Sequence, residues 1–181
     1  MSKALIIIDI QKDYFKGGAM ELHNPVEASE NAKQVLEKFR NNNEIVIHIQ
    51  HLAAAPEIGF FLPNTQGAEI HENVKPKEGE KVITKYTPNA FLNTDLLEYL
   101  QANNITELIF TGMMTQMCID ATVRAAKDYG FECTVIGDAC ATRDLKINGN
   151  QIKAKDVHNA FLAGLSFYYA QIKSTNEYLA A

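Results

Sequence analysis

KALIIID (3–9) is apolar without a break from Ala4 to Ile8 and does not alternate with polar residues, and EIVIHIQ (44–50), ELIFTG (107–112) and ECTVIGD (132–138) read as further strands. A strand with one wet face alternates, whereas a strand covered on both faces does not. These runs therefore predict a parallel sheet flanked by helices on both sides. The intervening stretches supply the helices. Asn24-Pro25 opens one, with proline at the first helical position and Glu27 placed to reach back. It runs to about Arg40, with Val26, Val35, Leu36 and Phe39 facing inward. TDLLEYLQANN (94–104), capped by Thr94, and TQMCIDATVRAAKDYG (115–130), closed by Gly130, read as two more. A fourth lies around 154–166. KVITK (81–85) and YAQIKS (169–174) add two strands. At 181 residues, strands alternating with helices predict a single α/β domain spanning 1–181.

In open parallel sheets ligands bind at the carboxyl ends of the strands. Asp9 ends the first run, His51 follows the second, Lys85 ends KVITK, Gly112 ends the fourth strand just ahead of Cys118, and Asp138 ends the fifth. A carboxylate, an amine and a thiol, distant in sequence, thus converge on one edge. Each also has a bland role open to it: Asp9 as a turn cap, Lys85 as a solvated cation, Cys118 as a small core residue. Their shared edge favours chemistry. With Thr115 as N-cap, Cys118 falls in the first helical turn, where free N–H groups and the Lys85 cation would lower its pKa. Asp9 could take the thiol proton and return it to a leaving group.

Composition narrows the setting. A formal net charge of -5 argues against nucleic acid or an anionic membrane as the main partner. No apolar run reaches the length of a membrane span, and MSKALIIID is too short and too soon acidic for a signal peptide. Three cysteines without metal-like or disulfide-like spacing suggest a reducing compartment, so the cytoplasm is the expected location. Residues 52–79 carry Pro56, Gly59, Pro63, Gly67, Pro76 and Gly79, and an irregular segment of that length is expected to be functional or mobile.

The segments IIDIQKDYF (7–15), ITKYTPNAF (83–91), FTGMMTQMCIDATVRAAKDYGF (110–131) and VIGDACAT (135–142) together resemble the isochorismatase-like cysteine hydrolases. The resemblance implies a three-layer, Rossmann-like α/β sandwich with a six-stranded parallel sheet. It implies a catalytic triad of Asp9, Lys85 and Cys118, and a cis peptide at Met113–Met114 that aims the Met114 and Cys118 N–H groups as an oxyanion hole. Gln11, Phe15, Phe91 and Met113 fall in matched segments and are expected to line the pocket. The substrate is expected to be a small molecule, the protein a homodimer or homotetramer, and no organic cofactor is implied.

Nicotinamidases of the same superfamily bind a metal through an aspartate and histidines after the second strand. Here that region reads HIQHLAAAPEIGFF and lacks the Asp-x-His pair, so no metal is expected. His48 and His51, three apart in a strand, face opposite sides. His51 with His71 is the remaining metal candidate, without a carboxylate. Cys133 and Cys140 read as structural. The presence of Cys118 favours hydrolysis of an amide or carbamoyl C–N bond through a thioester. Vinyl-ether hydrolysis, which needs no thiol, and a non-catalytic scaffold are the alternatives.

Overall fold

A computed structural model describes residues 2–181. The six-stranded sheet has the order β3-β2-β1-β4-β5-β8, every pairing parallel. Its strands are β1 (Lys3–Ile8), β2 (Ile45–His51), β3 (Lys81–Lys85), β4 (Glu107–Met113), β5 (Glu132–Ala141) and β8 (Gln171–Lys173). The helices are α1 (Pro25–Asn41), α2 (Leu96–Ala102), α3 (Asp120–Asp128), α4 (Ala154–Ser166) and α5 (Thr175–Ala180). A separate antiparallel hairpin, β6 (Leu145–Ile147) with β7 (Asn150–Ile152), precedes α4. Among the described residues no helix is long and apolar enough to cross a membrane.

The unbroken apolar runs have the expected cause. Alternate residues of β1 enter different cores. Ala4, Ile6 and Ile8 pack with Leu96, Val123 and Leu162 of α2, α3 and α4. Leu5 and Ile7 pack on the other face with Ala32, Val35 and Phe39 of α1 and Tyr178 of α5. Burying each large aliphatic side chain contributes about 1.5–3 kcal/mol. One inward assignment is corrected: Val26 is exposed, because helical spacing from Ala28, Ala32, Val35 and Leu36 turns it to solvent.

From β1 the chain builds outward to β2 and β3, then returns to place β4 on the other side of β1. The switch point therefore lies between β1 and β4, where the connections diverge and leave a cleft. Gly112 holds these strands close. Its φ is +138°, and a Cβ there would overlap the Ile8 carbonyl oxygen.

The 52–79 segment is anchored along its length by short 3₁₀ turns and hydrogen bonds. The Asp13 carboxylate accepts from Phe61 N–H at 2.6 Å and from Ala19 N–H at 3.1 Å, and Gly67 packs directly against it. The His71 N–H donates to the Ile10 carbonyl at 2.8 Å, and Val74 is fully buried beside α1.

Below the cleft, Glu80 ties the segment to α1 and β2. It pairs with Arg40 at 2.7 Å and with the buried His48 at 2.8 Å. Burial opposes its ionisation, but Arg40, the Lys77 N–H and His48 outweigh it and hold the carboxyl down at about 2. A depressed carboxyl stabilises the fold above its unfolded pKa and loses that contribution as pH falls through the folded value. Unfolding stability should therefore drop between about pH 4.5 and pH 2 by about 1–2 kcal/mol from this site after allowance for solvent screening. Urea midpoints of wild type and Glu80→Gln measured across that range check it. The variant should lose less stability on acidification.

Candidate active site

Three strand ends supply the buried polar groups. Asp9 follows β1 with φ +52°, a left-handed conformation that aspartate tolerates, and is fully buried. His51 and Lys85 are the last residues of β2 and β3 and stand in register with each other. Register partners point to the same face of a sheet, so both side chains meet at its edge. The Met113–Met114 peptide that leaves β4 is cis. Cys118 then lies in a single π-helical turn, Thr115–Ile119, ahead of α3. Thr115 does not cap that turn; its hydroxyl instead contacts Ala141 O at 3.3 Å and His158 Nδ1 at 2.9 Å.

Lys85 Nζ is the hub. It lies 2.7 Å from Asp9 Oδ2, 2.8 Å from His51 Nδ1, 3.0 Å from the Thr87 carbonyl and 3.2 Å from Cys118 Sγ. Asp9, Lys85 and Cys118 are thus together. Asp9 Oδ1 has no hydrogen-bond partner among the described residues, which leaves one carboxylate oxygen free.

The electrostatics follow from burial and this ion pair. Burial alone would raise the Asp9 carboxyl, but the Lys85 charge outweighs it and holds its pKa down. Burial alone would lower the Lys85 ammonium, but Asp9 and then Cys118 hold it up. The thiol goes the other way from the sequence expectation. Burial, reinforced by the Asp9 charge, pushes Cys118 up against the opposing pull of Lys85. Burial therefore favours the protonated form of the Cys118 thiol. Free N–H groups and Lys85 are outweighed at Cys118 by its burial and by the Asp9 carboxylate, which lies within 4.8 Å of its sulfur. Cys133 and Cys140 are also pushed up by burial, each to about 12.

The residues expected to line the pocket prove mostly to be framework. Gln11 is fully buried, and its amide is spent on backbone: Nε2 donates to the His51 and Ala68 carbonyls at 2.9 Å, and Oε1 accepts from the His51 N–H at 2.7 Å. No polar atom of Gln11 is left for a ligand. Met113 is likewise fully buried, within the α1-side core. Phe15 stacks on His71 at 3.7 Å, and Phe91 packs against Tyr129 and Phe131; each keeps only an edge exposed. Met114 is half-buried.

Asp9, His51 and Cys118 each offer a donor atom, all within 4.8 Å of one another, and His71 is not among them. An oxygen, a nitrogen and a sulfur could suit zinc. Here the Lys85 ammonium already stands among the three, at ion-pair and hydrogen-bond distances. The cluster is organised around an internal cation, so the donor set does not fit a resident metal.

The chain matches the Isochorismatase domain family over residues 3–176. It is 49% identical over 179 residues to the uncharacterized isochorismatase family protein YddQ of Bacillus subtilis, covering 99% of each chain. It is 26% identical to the nicotinamidase of Escherichia coli, covering 92% of this chain and 94% of that one. A candidate isochorismatase hydrolase from Oleispira antarctica superposes with a TM-score of 0.96 at 44% identity, covering 99% of this chain and 97% of its own. A parallel sheet with a carboxylate, an ammonium and a thiol at its switch point, continuous with these relatives over nearly its whole length, is a hydrolase of the isochorismatase family.

Proposed function

We propose that the protein hydrolyses a C–N bond of a small amide, urea or carbamate through a thioester on Cys118. The observation that carries this reading is the buried Cys118 thiol 3.2 Å from Lys85 Nζ, which is itself paired with the buried Asp9 carboxylate at 2.7 Å. A thiol that keeps its proton needs a base at the moment of attack, and Asp9 has a carboxylate oxygen to spare.

The atoms balance as follows. Cys118 Sγ bonds to the scissile carbonyl carbon as its proton passes to Asp9. The N–H groups of Met114 and Cys118 receive the oxygen that gains charge. As the tetrahedral species collapses, the C–N bond breaks and Asp9 gives the proton to the departing nitrogen. Water then attacks the thioester and yields a proton to Asp9. The C–S bond breaks as the acid leaves, and the Asp9 proton returns to the freed Sγ. Lys85 stays charged throughout and balances whichever neighbour is anionic. The E. coli nicotinamidase supports the reaction class by the amide its name specifies.

Ammonia release from a panel of small amides, ureas and carbamates tests the proposal; release from none of them would count against it. Because an ammonium fills the centre of the donor cluster, EDTA treatment should leave turnover unchanged. A loss restored by zinc would overturn that expectation.

The thiol itself supplies a sharper prediction. Burial first, and the Asp9 charge second, keep Cys118 protonated. Asp9→Asn removes that charge but also the base that takes the thiol proton, so both alkylation of Cys118 by iodoacetamide and turnover should fall several-fold. Peptide mapping under limiting reagent measures both rates. Faster alkylation in the variant would show that Asp9 acts on the thiol through its charge alone and would count against its role as the base.

A further inference from the structure

His51 touches every residue assigned to the chemistry. Its Nδ1 lies 2.8 Å from Lys85 Nζ, 3.8 Å from Asp9 Oδ2 and 4.0 Å from Cys118 Sγ. Only the first is an ordinary hydrogen-bond length. An ammonium has protons and no lone pair, so Nδ1 is the acceptor in that contact. A neutral imidazole that accepts at Nδ1 carries its proton at Nε2. The neighbour thus selects the tautomer.

The rest of the residue is equally fixed. Gln11 clamps its backbone from both sides, and the Phe61 ring centroid lies 5.9 Å from the imidazole. Asp9 and Lys85 are fully buried and Cys118 nearly so, whereas 14% of the His51 side chain stays exposed. Nε2 makes no hydrogen bond to a described residue, and it is not among the buried unpartnered atoms, unlike His48 Nδ1. A donor with fixed backbone, fixed tautomer and no internal partner, on the open side of a buried cluster, has the properties of a recognition group.

We propose that His51 positions Lys85 through Nδ1 and offers its Nε2–H to the substrate, selecting amides that carry an acceptor oxygen beside the scissile carbonyl. This rests on the amidase reading above. Reach sets the class. The attacked carbon must approach Sγ to about 3–3.5 Å, and an N–H···O contact spans about 2.9 Å. His51 stands beside Cys118, with Nδ1 4.0 Å from Sγ, so an acceptor held by the outward Nε2–H belongs to the part of the substrate adjoining the scissile carbonyl. An α-carboxylate, α-keto or α-hydroxy oxygen meets that requirement, and a plain alkyl amide does not.

Two measurements on the intact protein, neither needing turnover, test it. Long-range ¹H–¹⁵N correlation of histidine-labelled protein, with His51 assigned by its loss in His51→Asn, should show the Nε2–H tautomer. An Nδ1–H tautomer overturns the proposal. The second uses two aldehydes, glyoxylate and acetaldehyde. Sγ adds to the aldehyde carbon and the thiol proton passes to its oxygen, giving a reversible hemithioacetal that protects Cys118 from iodoacetamide. Glyoxylate carries an α-carboxylate and acetaldehyde does not. Comparing their ratio between variants cancels their intrinsic reactivities.

His51→Asn keeps an acceptor near Nδ1 but loses the outer donor. The glyoxylate preference should fall about tenfold or more, the worth of one hydrogen bond to a charged oxygen. His51→Gln places an amide N–H near Nε2 and should retain most of the preference. An unchanged ratio in His51→Asn, or equal losses in both variants, overturns the donor role. Failure of the amidase reading would show instead as no ammonia from the whole panel, with the tautomer and the aldehyde ratio still deciding His51.

Discussion

Cys118→Ala should lower kcat/KM for ammonia release by at least ~10³-fold while leaving the urea unfolding midpoint close to that of wild type. The two halves of this expectation have separate causes. Activity falls because the covalent route is lost, and no other described thiol reaches the cleft: Cys133 and Cys140 are buried at other places along β5. Stability changes little because only one sulfur atom is removed from a contact with Lys85, and the Lys85–Asp9 pair at 2.7 Å remains. Steady-state assays and denaturation curves on the same preparations provide both numbers. Cleavage of a vinyl ether at the wild-type rate by Cys118→Ala would move the assignment to the reaction that needs no thiol. Absence of any turnover in wild type would favour the scaffold alternative.

The second large effect concerns Lys85. Lys85→Met keeps the length of the side chain but leaves Asp9 fully buried without its cation. Removing one partner of a buried ion pair typically costs about 3–5 kcal/mol. The pH dependence has a definite sign. In the wild type, Lys85 holds the Asp9 carboxyl down, so the pair stabilises the fold above the unfolded carboxyl pKa. In the variant only burial acts strongly on Asp9 and raises its pKa. The folded protein then prefers protonated Asp9, and the deficit should shrink as pH falls. Urea unfolding at neutral and mildly acidic pH measures it. Asp9→Asn combined with Lys85→Met removes both charges and should regain most of the lost stability, yet remain inactive. A double variant as unstable as Lys85→Met would mean that the ammonium matters through packing and not through charge.

The sheet and the meeting of Asp9, Lys85 and Cys118 at its edge are legible in the sequence because each rests on a local signal. Continuous apolar runs gave the strands, and the last residue of each run gave the edge; Asp9, Lys85 and Cys118 follow from those ends. What stayed hidden depends on partners distant in sequence. His51 was visible as a strand end, but its contact with Lys85 needs the β2–β3 register, which no single run encodes. The full burial of Gln11 depends on carbonyls 40 and 57 residues away. The thiol's resting state turned on burial, which opposes the helix-terminus argument and cannot be weighed without the packing. β5 runs on to Ala141, past the expected end at Asp138, because its register with β4 shifts between Phe110 and Gly112. The β6–β7 hairpin and α5 are too short to leave a periodic signal.

The Asp13 carboxylate, which grips Phe61 and lies against Gly67, has a consequence for how this enzyme can diversify. It divides the long segment into exposed arcs, 54–59 and 63–66, strung between fixed points. Arcs of that kind accept changes of residue and length far more readily than anchored backbone. New side chains can thus be tried along these arcs while Gln11, His51 and Lys85 keep their places. Change in the exposed arcs and the packing of the buried cluster are thereby uncoupled, on opposite sides of one aspartate.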